Sequence, residues 1–141
     1  MMRAQVSLLT ASLLLFSCSI PAGGNQGATT RMEDVLAHPD LYNGKRVTLT
    51  AWITLRSEDQ NLWASWNDHE RWETRKCISL MNYDVLSGKA SLLDGHRVKA
   101  TGIVRSDASG RGAVIRLAAC RDLGLELIDA TSVEVADPGG K

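Results

Sequence analysis

From Val47 to Leu55 an apolar residue occupies every second position. Val47, Leu49, Ala51, Ile53 and Leu55 alternate with Thr48, Thr50, Trp52 and Thr54. A period of two is the signature of a strand with one buried face, and a helix cannot be built on it. A strand this long needs partners along its edges and a layer over its apolar face. The pattern also has an echo. Leu41-Tyr42-Asn43-Gly44-Lys45-Arg46-Val47-Thr48-Leu49-Thr50-Ala51 aligns without gaps on Leu92-Leu93-Asp94-Gly95-His96-Arg97-Val98-Lys99-Ala100-Thr101-Gly102, an offset of 51 positions. Two copies are too few for a solenoid. They describe a shared way of starting a strand. Asn or Asp followed by Gly supplies a turn with positive φ, an Arg faces solvent, and a β-branched Val opens the buried face. Ala51 and Gly102 fall at equivalent places, where a strongly coiled strand bends or bulges.

The remaining segments are short and mostly extended. Thr30 and Glu33 have the spacing of a capping box, and Met32, Val35 and Leu36 follow at helical intervals until His38-Pro39 stops the pattern. One or two helical turns are expected there. Ser57 to Asn61 reads as a turn, Leu62 to Trp66 as a second strand, Asn67 to Arg75 as a charged loop and Cys77 to Met81 as a third strand. Val85 to Leu93 can hold a helical turn, weakened by Gly88. Val98 to Val104 and Ala113 to Cys120 read as strands around a Gly/Ser loop. Leu123 to Val135 reads as a last extended stretch, and residues 137–141 as a disordered tail.

The sequences Gly-Lys-Arg-Val, Gly-His-Arg-Val-Lys-Ala-Thr-Gly-Ile-Val and Ile-Arg-Leu-Ala-Ala-Cys resemble the OB-fold, especially small exported bacterial OB-like domains of the tRNA-anti-like group. The resemblance covers roughly residues 32–135, with Ala51 where the group's first strand carries Gly. It implies a mainly β chain: a small OB-like Greek-key barrel of five to six strands with one or two short helices, spanning residues 31–136. Such a barrel closes on itself and leaves few exposed edges.

The first residues read as an address. Arg3 gives a positive start, and Val6 to Phe16 is almost uniformly apolar. Eleven helical residues span roughly 16 Å, about half a hydrocarbon core, so the segment suits a signal peptide over residues 1–17 and not a membrane span. Leu15-Phe16-Ser17-Cys18 resembles the bacterial lipoprotein signal, in which the Cys becomes the lipidated first residue. On that resemblance Cys18 carries lipid, and Ser19 directs the protein to the outer membrane, on the periplasmic side of the envelope. Ordinary cleavage after a small residue such as Ala22 is the alternative. Residues 18–30 are small, polar and glycine-rich, as in a flexible tether.

Charge bears on function. Sixteen basic and sixteen acidic side chains cancel, and loss of Arg3 with the signal leaves about −1. A protein built to hold phosphate backbones carries a basic excess, so nucleic acid is not the expected partner. Apart from Cys18, the chain holds Cys77 and Cys120, 43 positions apart. In an oxidising compartment they are a disulfide candidate, and two separate buried thiols are the alternative.

No motif for chemistry is present. His38, His69 and His96 share no ligand spacing, and no metal site or cofactor is expected. Glu58-Asp59 and Asp68-His69-Glu70 read as solvated turns. Neither Cys lies in a nucleophile context, and no phosphate-cradling loop leads into a helix. An enzyme is therefore not expected. The oddity is that all four tryptophans, Trp52, Trp63, Trp66 and Trp72, lie within residues 52–72, near Arg71 and Arg75. They can brace the fold, contact a protein, or stack sugars or bases. The expectation is a non-enzymatic binding or assembly module of the cell envelope that meets an envelope protein through this region. The alternative is an oligonucleotide- or glycan-binding OB domain using the same Trp-rich face.

Overall fold

The computed structural model describes residues 29–110 and 120–136. The expected signal segment, Cys18, most of the expected tether, residues 113–119 of an expected strand and the expected tail lie outside the described residues. Seven strands form one sheet: β1 (Thr29–Thr30), β2 (Arg46–Arg56), β3 (Asp59–Trp63), β4 (Cys77–Met81), β5 (Arg97–Arg105), β6 (Gly124–Leu127) and β7 (Val133–Val135). Their order is β1-β2-β3-β4-β6-β5-β7, with a further pairing of β2 to β5. That pairing closes β2, β3, β4, β6 and β5 into a five-stranded barrel of OB-like connectivity. β4 and β6 run parallel, and the other barrel pairs are antiparallel. β1 extends the N-terminal half of β2, and β7 does the same for β5.

The alternation in the sequence decides which side chains point inward. Val47, Leu49, Ala51 and Ile53 of β2, Val98, Ala100 and Val104 of β5, and Leu125 and Leu127 of β6 are buried together. Leu62, Ile78 and Leu80 complete the barrel wall, and the short helix α1 (Met32–Ala37) adds Met32, Val35 and Leu36.

The 51-residue echo is structural. The four-residue helices α2 (Pro39–Tyr42) and α4 (Ala90–Leu93) occupy equivalent places before the two turns. Asn43 (φ −53°, ψ 127°) and Asp94 (φ −56°, ψ 127°) precede Gly44 and Gly95, each at φ 74°. These are the dihedral angles of a type II turn, which needs a glycine-like third residue. The turns also dock alike. Gly44 N–H donates to the Val104 carbonyl (2.8 Å) and Gly95 N–H to the Ile53 carbonyl (2.9 Å). Asn43 Oδ1 accepts from Ser106 N–H (3.1 Å), and Asp94 Oδ1 accepts from Leu55 N–H (3.0 Å). Every one of these partners is also 51 positions from its counterpart. β2 and β5 are thus related by a local two-fold that passes through the Leu49–Ala100 pair.

Several local readings are corrected. β3 starts at Asp59 and ends at Trp63, because the hairpin turn shrinks to Ser57-Glu58 with Ser57 at φ 43°. The expected loop after it contains a helix, α3 (Trp66–Glu70), capped by the Ser65 hydroxyl accepting from Asp68 N–H. Thr30 caps nothing. Thr29–Thr30 pairs with β2, and Arg31 stands at the helix N-cap without a side-chain cap. The last extended stretch breaks into β6 and β7, because Asp129 and Ser132 form a reciprocal capping box around a turn of 3₁₀ helix.

Gly102 lies close against the backbone of β6. A Cβ there would lie 2.6 Å from the Glu126 carbonyl oxygen and 2.8 Å from Leu125 Cγ. Neither neighbour is the free end of a flexible chain. Gly102→Ala is expected to lower stability by about 1–3 kcal/mol through overpacking. Gly88→Ala, which meets nothing within 4 Å, is the control. Urea denaturation of both variants checks this.

Candidate functional site

The tryptophans belong to a second core on the outside of the barrel. Trp52 and Trp63 are cross-strand partners on β2 and β3, so they share the outward face. Thr54 and Asn61 pair beside them on the same face and are also buried. The cover is residues 64–76, the connection from β3 to β4, closed at its base by Ala64 N–H donating to the Lys76 carbonyl (3.0 Å). This flap folds back over the hairpin. His69 sits at its centre, 4.6 Å from the Trp66 ring, 5.1 Å from Trp63 and 6.2 Å from Trp72. Trp66 also meets Trp52 at 5.7 Å, and Trp72 packs on Trp63 at 5.5 Å. Five rings therefore form one connected cluster.

A polar network underlies the rings. Asp59 accepts from the Thr54 hydroxyl (2.8 Å), from Asn61 Nδ2 (2.7 Å) and from His69 Nε2 (3.0 Å). The Thr54 hydroxyl oxygen in turn accepts from the Trp63 indole N–H (3.0 Å). His69 Nδ1 and Asn61 Oδ1 are buried without a hydrogen-bond partner among the described residues. Asp59 is thus no solvated turn residue but the hub that lets a polar hairpin face be buried.

Asp68 is likewise buried, and it ties the flap to its own base. Its carboxylate accepts from Ser65 Oγ (2.5 Å) and from Lys76 Nζ (2.9 Å). Burial works against its ionisation, but the hydrogen bonds from Lys76 and Ser65 outweigh that and hold its carboxyl below the ordinary aspartate range. The disulfide between Cys77 and Cys120 (Cα–Cα 5.4 Å) joins the end of the flap to the segment before β6. Cys120 itself lies outside the strands. A disulfide agrees with an oxidising compartment.

The sequence-derived binding face divides. Trp63 is 0% exposed and leaves it, because His69 and Trp72 cover its ring. Trp52 and Trp66 are half-buried at one edge of the flap. Trp72, 53% exposed, and Arg71 and Arg75, both exposed, lie along the flap's outer surface. Trp72 has φ 54°, a left-handed conformation that a bulky residue adopts at a cost of order 1–3 kcal/mol.

At the Trp52–Trp66 edge lies a groove of about 480 Å³ lined by Trp52, Arg56, Trp66, Asp94, Gly95 and His96. Arg56 Nε donates to Asp94 Oδ2 (2.5 Å), and that hydrogen bond and charge raise the guanidinium pKa further. The Trp66 indole N–H donates to Glu70 (3.0 Å). His96 and Asp94 escaped the sequence reading because 38 residues separate Arg56 from Asp94. The legible signal was the echo, which sets the Asp94 turn against the end of β2. Among the described residues no group of three or more His, Cys, Asp or Glu is arranged to hold a metal.

Comparison with protein-family models, with curated proteins and with solved structures finds no match to this chain. Fold and site therefore define the class: an OB-like barrel whose β2–β3 hairpin is covered by a tryptophan-braced flap.

Two outcomes follow for the flap. Asp68 has a lowered pKa in the folded state, so its contribution is present above the ordinary aspartate value of about 3.9 and lost as pH falls through and below it. Asp68→Asn is expected to cost about 1–2 kcal/mol near neutral pH, discounted because Lys76 is exposed, and to flatten the acid limb of a stability–pH curve. Replacing Cys77 and Cys120 together by Ser is expected to cost up to about 4 kcal/mol, from the loop-entropy of a 43-residue closure, read by denaturation with and without reductant.

Proposed function

We propose that the protein is a non-enzymatic binding module of the bacterial cell envelope. Lipid on Cys18 and the tether of residues 18–30 hold it at the periplasmic face of the outer membrane. The outer surface of the flap, with Trp72, Arg71 and Arg75, meets an envelope protein partner. The observation that carries this reading is Trp72. A large indole kept 53% exposed on a strained backbone costs the fold free energy on two counts, exposure and conformation. Tryptophan and arginine together are the side chains that dominate protein contacts.

The oligonucleotide reading draws less support. Bases would stack on the outward faces of β2 and β3, and the protein's own flap occupies that surface. Asp68, Glu70 and Glu73 are also interleaved with the basic residues.

Affinity capture of the full chain from its own membranes, followed by partner identification, tests the contact. Arg71→Ala is expected to reduce capture strongly with thermal stability retained, and Trp72→Ala to abolish it in a chain that stays folded but loses some stability with the cover on Trp63. Unchanged capture would mean that these side chains serve the fold alone. Metabolic labelling with a fatty acid is expected to mark wild-type protein and not Cys18→Ala; absence of label in both removes the anchor. A salt titration with a single-stranded oligonucleotide is expected to give no binding even at low salt.

A further inference from the structure

We propose that the groove beside Trp52 and Trp66 is a saccharide site, which binds a neutral pyranose ring with its hydroxyls on Arg56, Asp94 and His96. This goes beyond the protein contact at Trp72, which lies outside the groove. Its volume, about 480 Å³, falls within the range of about 300–1,000 Å³ typical of small-ligand sites.

The wall chemistry selects the ligand. Trp52 and Trp66 present two indoles whose planes meet at 53° with centroids 5.7 Å apart. At that distance the two indoles touch, so nothing is sandwiched between them, and they form one bent apolar wall. A flat base can stack on only one of the two planes, whereas a puckered ring with C–H groups on its face can lie across both, its partly positive C–H groups against the negative ring faces. The polar wall offers donors and acceptors side by side. Arg56 uses only Nε on Asp94, which leaves its two terminal NH₂ groups as donors. Each Asp94 oxygen takes one protein hydrogen bond and keeps a further lone pair. His96 turns Nδ1 to the Asp94 backbone carbonyl (3.1 Å), so Nε2 is its outward atom. Groups that each donate and accept, as hydroxyls do, match this wall.

Charge narrows the choice. The Arg56 and Asp94 charges are paired at 2.5 Å, and the pair is close to neutral from outside. A phosphate would face Asp94 and, beside Trp66, Glu70. A cationic ligand in the aromatic angle would face Arg56. A neutral polyhydroxyl ring meets neither penalty.

The test uses the full chain with cellotetraose and chitotetraose as probes, and an oligothymidine as the competing class. Binding is followed through the indole N–H resonances, assigned by single Trp→Phe variants. At least one saccharide is expected to shift the Trp52 and Trp66 resonances saturably, with Trp63 unmoved. Arg56→Ala and His96→Ala, both on exposed side chains, are each expected to weaken binding about fivefold, as for one net hydrogen bond. Trp52→Leu, which keeps apolar volume and loses the ring, is expected to weaken it about five- to tenfold. Trp72→Ala is expected to leave it unchanged. The proposal fails if neither saccharide shifts Trp52 or Trp66 at high millimolar concentration. It fails equally if Arg56→Ala and His96→Ala both bind as wild type, or if only the oligothymidine binds. Partner capture lost in Trp72→Ala while saccharides do not bind would sink this site alone. The converse result would sink only the protein contact.

Discussion

Everything in this barrel hangs on the pairing of β2 with β5. These are its two longest strands, and they are bonded in register from Arg46–Ile103 to Trp52–Arg97. Each end of the pairing is sealed by a glycine turn that donates into the partner strand. The seal needs a left-handed residue at Gly44 and Gly95, which is why an Asn-Gly and an Asp-Gly stand at equivalent positions. With β2 and β5 joined, β3, β4 and β6 complete the circuit, and the sheet has no open edge within the barrel.

The described domain is small for a single core, and it adds a second one outside. The outer face of the β2–β3 hairpin carries polar residues, Thr54 and Asn61 among them. Here that face is buried, at the cost of desolvating Thr54, Asn61 and Asp59. The cost is offset by one network that pairs Thr54, Asp59 and the Asn61 amide N–H, with Asn61 Oδ1 left without a partner among the described residues, and by a cover of indole rings. The disulfide pins the same region from the other side, on the outward face that Trp63 and Cys77 share. Tryptophan clustering, buried carboxylates and the cystine are thus parts of one device, which keeps a flap of residues 64–76 closed.

Much of the barrel was legible because alternation in β2 and the echo in β5 are strong, local and mutually supporting. The flap was not. Asn67 to Arg75 is dense in charge, and charge in a short segment ordinarily means solvent. What overrides it is tertiary: Asp68 meets Lys76 and Ser65, and Asp59 meets Thr54, Asn61 and His69. Only the spacing of Trp66, His69 and Trp72, three apart, hinted that one side of the segment was facing inward. The groove residues were further from reach, since Arg56 and Asp94 meet only once the barrel has closed. Of the four tryptophans, the sequence could not tell that Trp63 points outward from the barrel yet sees no water.

The local two-fold has a consequence for how the groove can be interrogated. The turn at Asn43 repeats the turn at Asp94 in backbone, docking and side-chain hydrogen bond, but it carries an amide in place of a carboxylate. Around it, Ile103 stands where Trp52 does, Lys45 where His96 does and Asp107 where Arg56 does. One molecule therefore contains its own matched reference surface. The same turn is presented twice, once with Trp52, Arg56 and a carboxylate at the turn and once with Ile103, Asp107 and an amide, so a ligand that distinguishes the two ends is responding to those side chains and not to the turn they share.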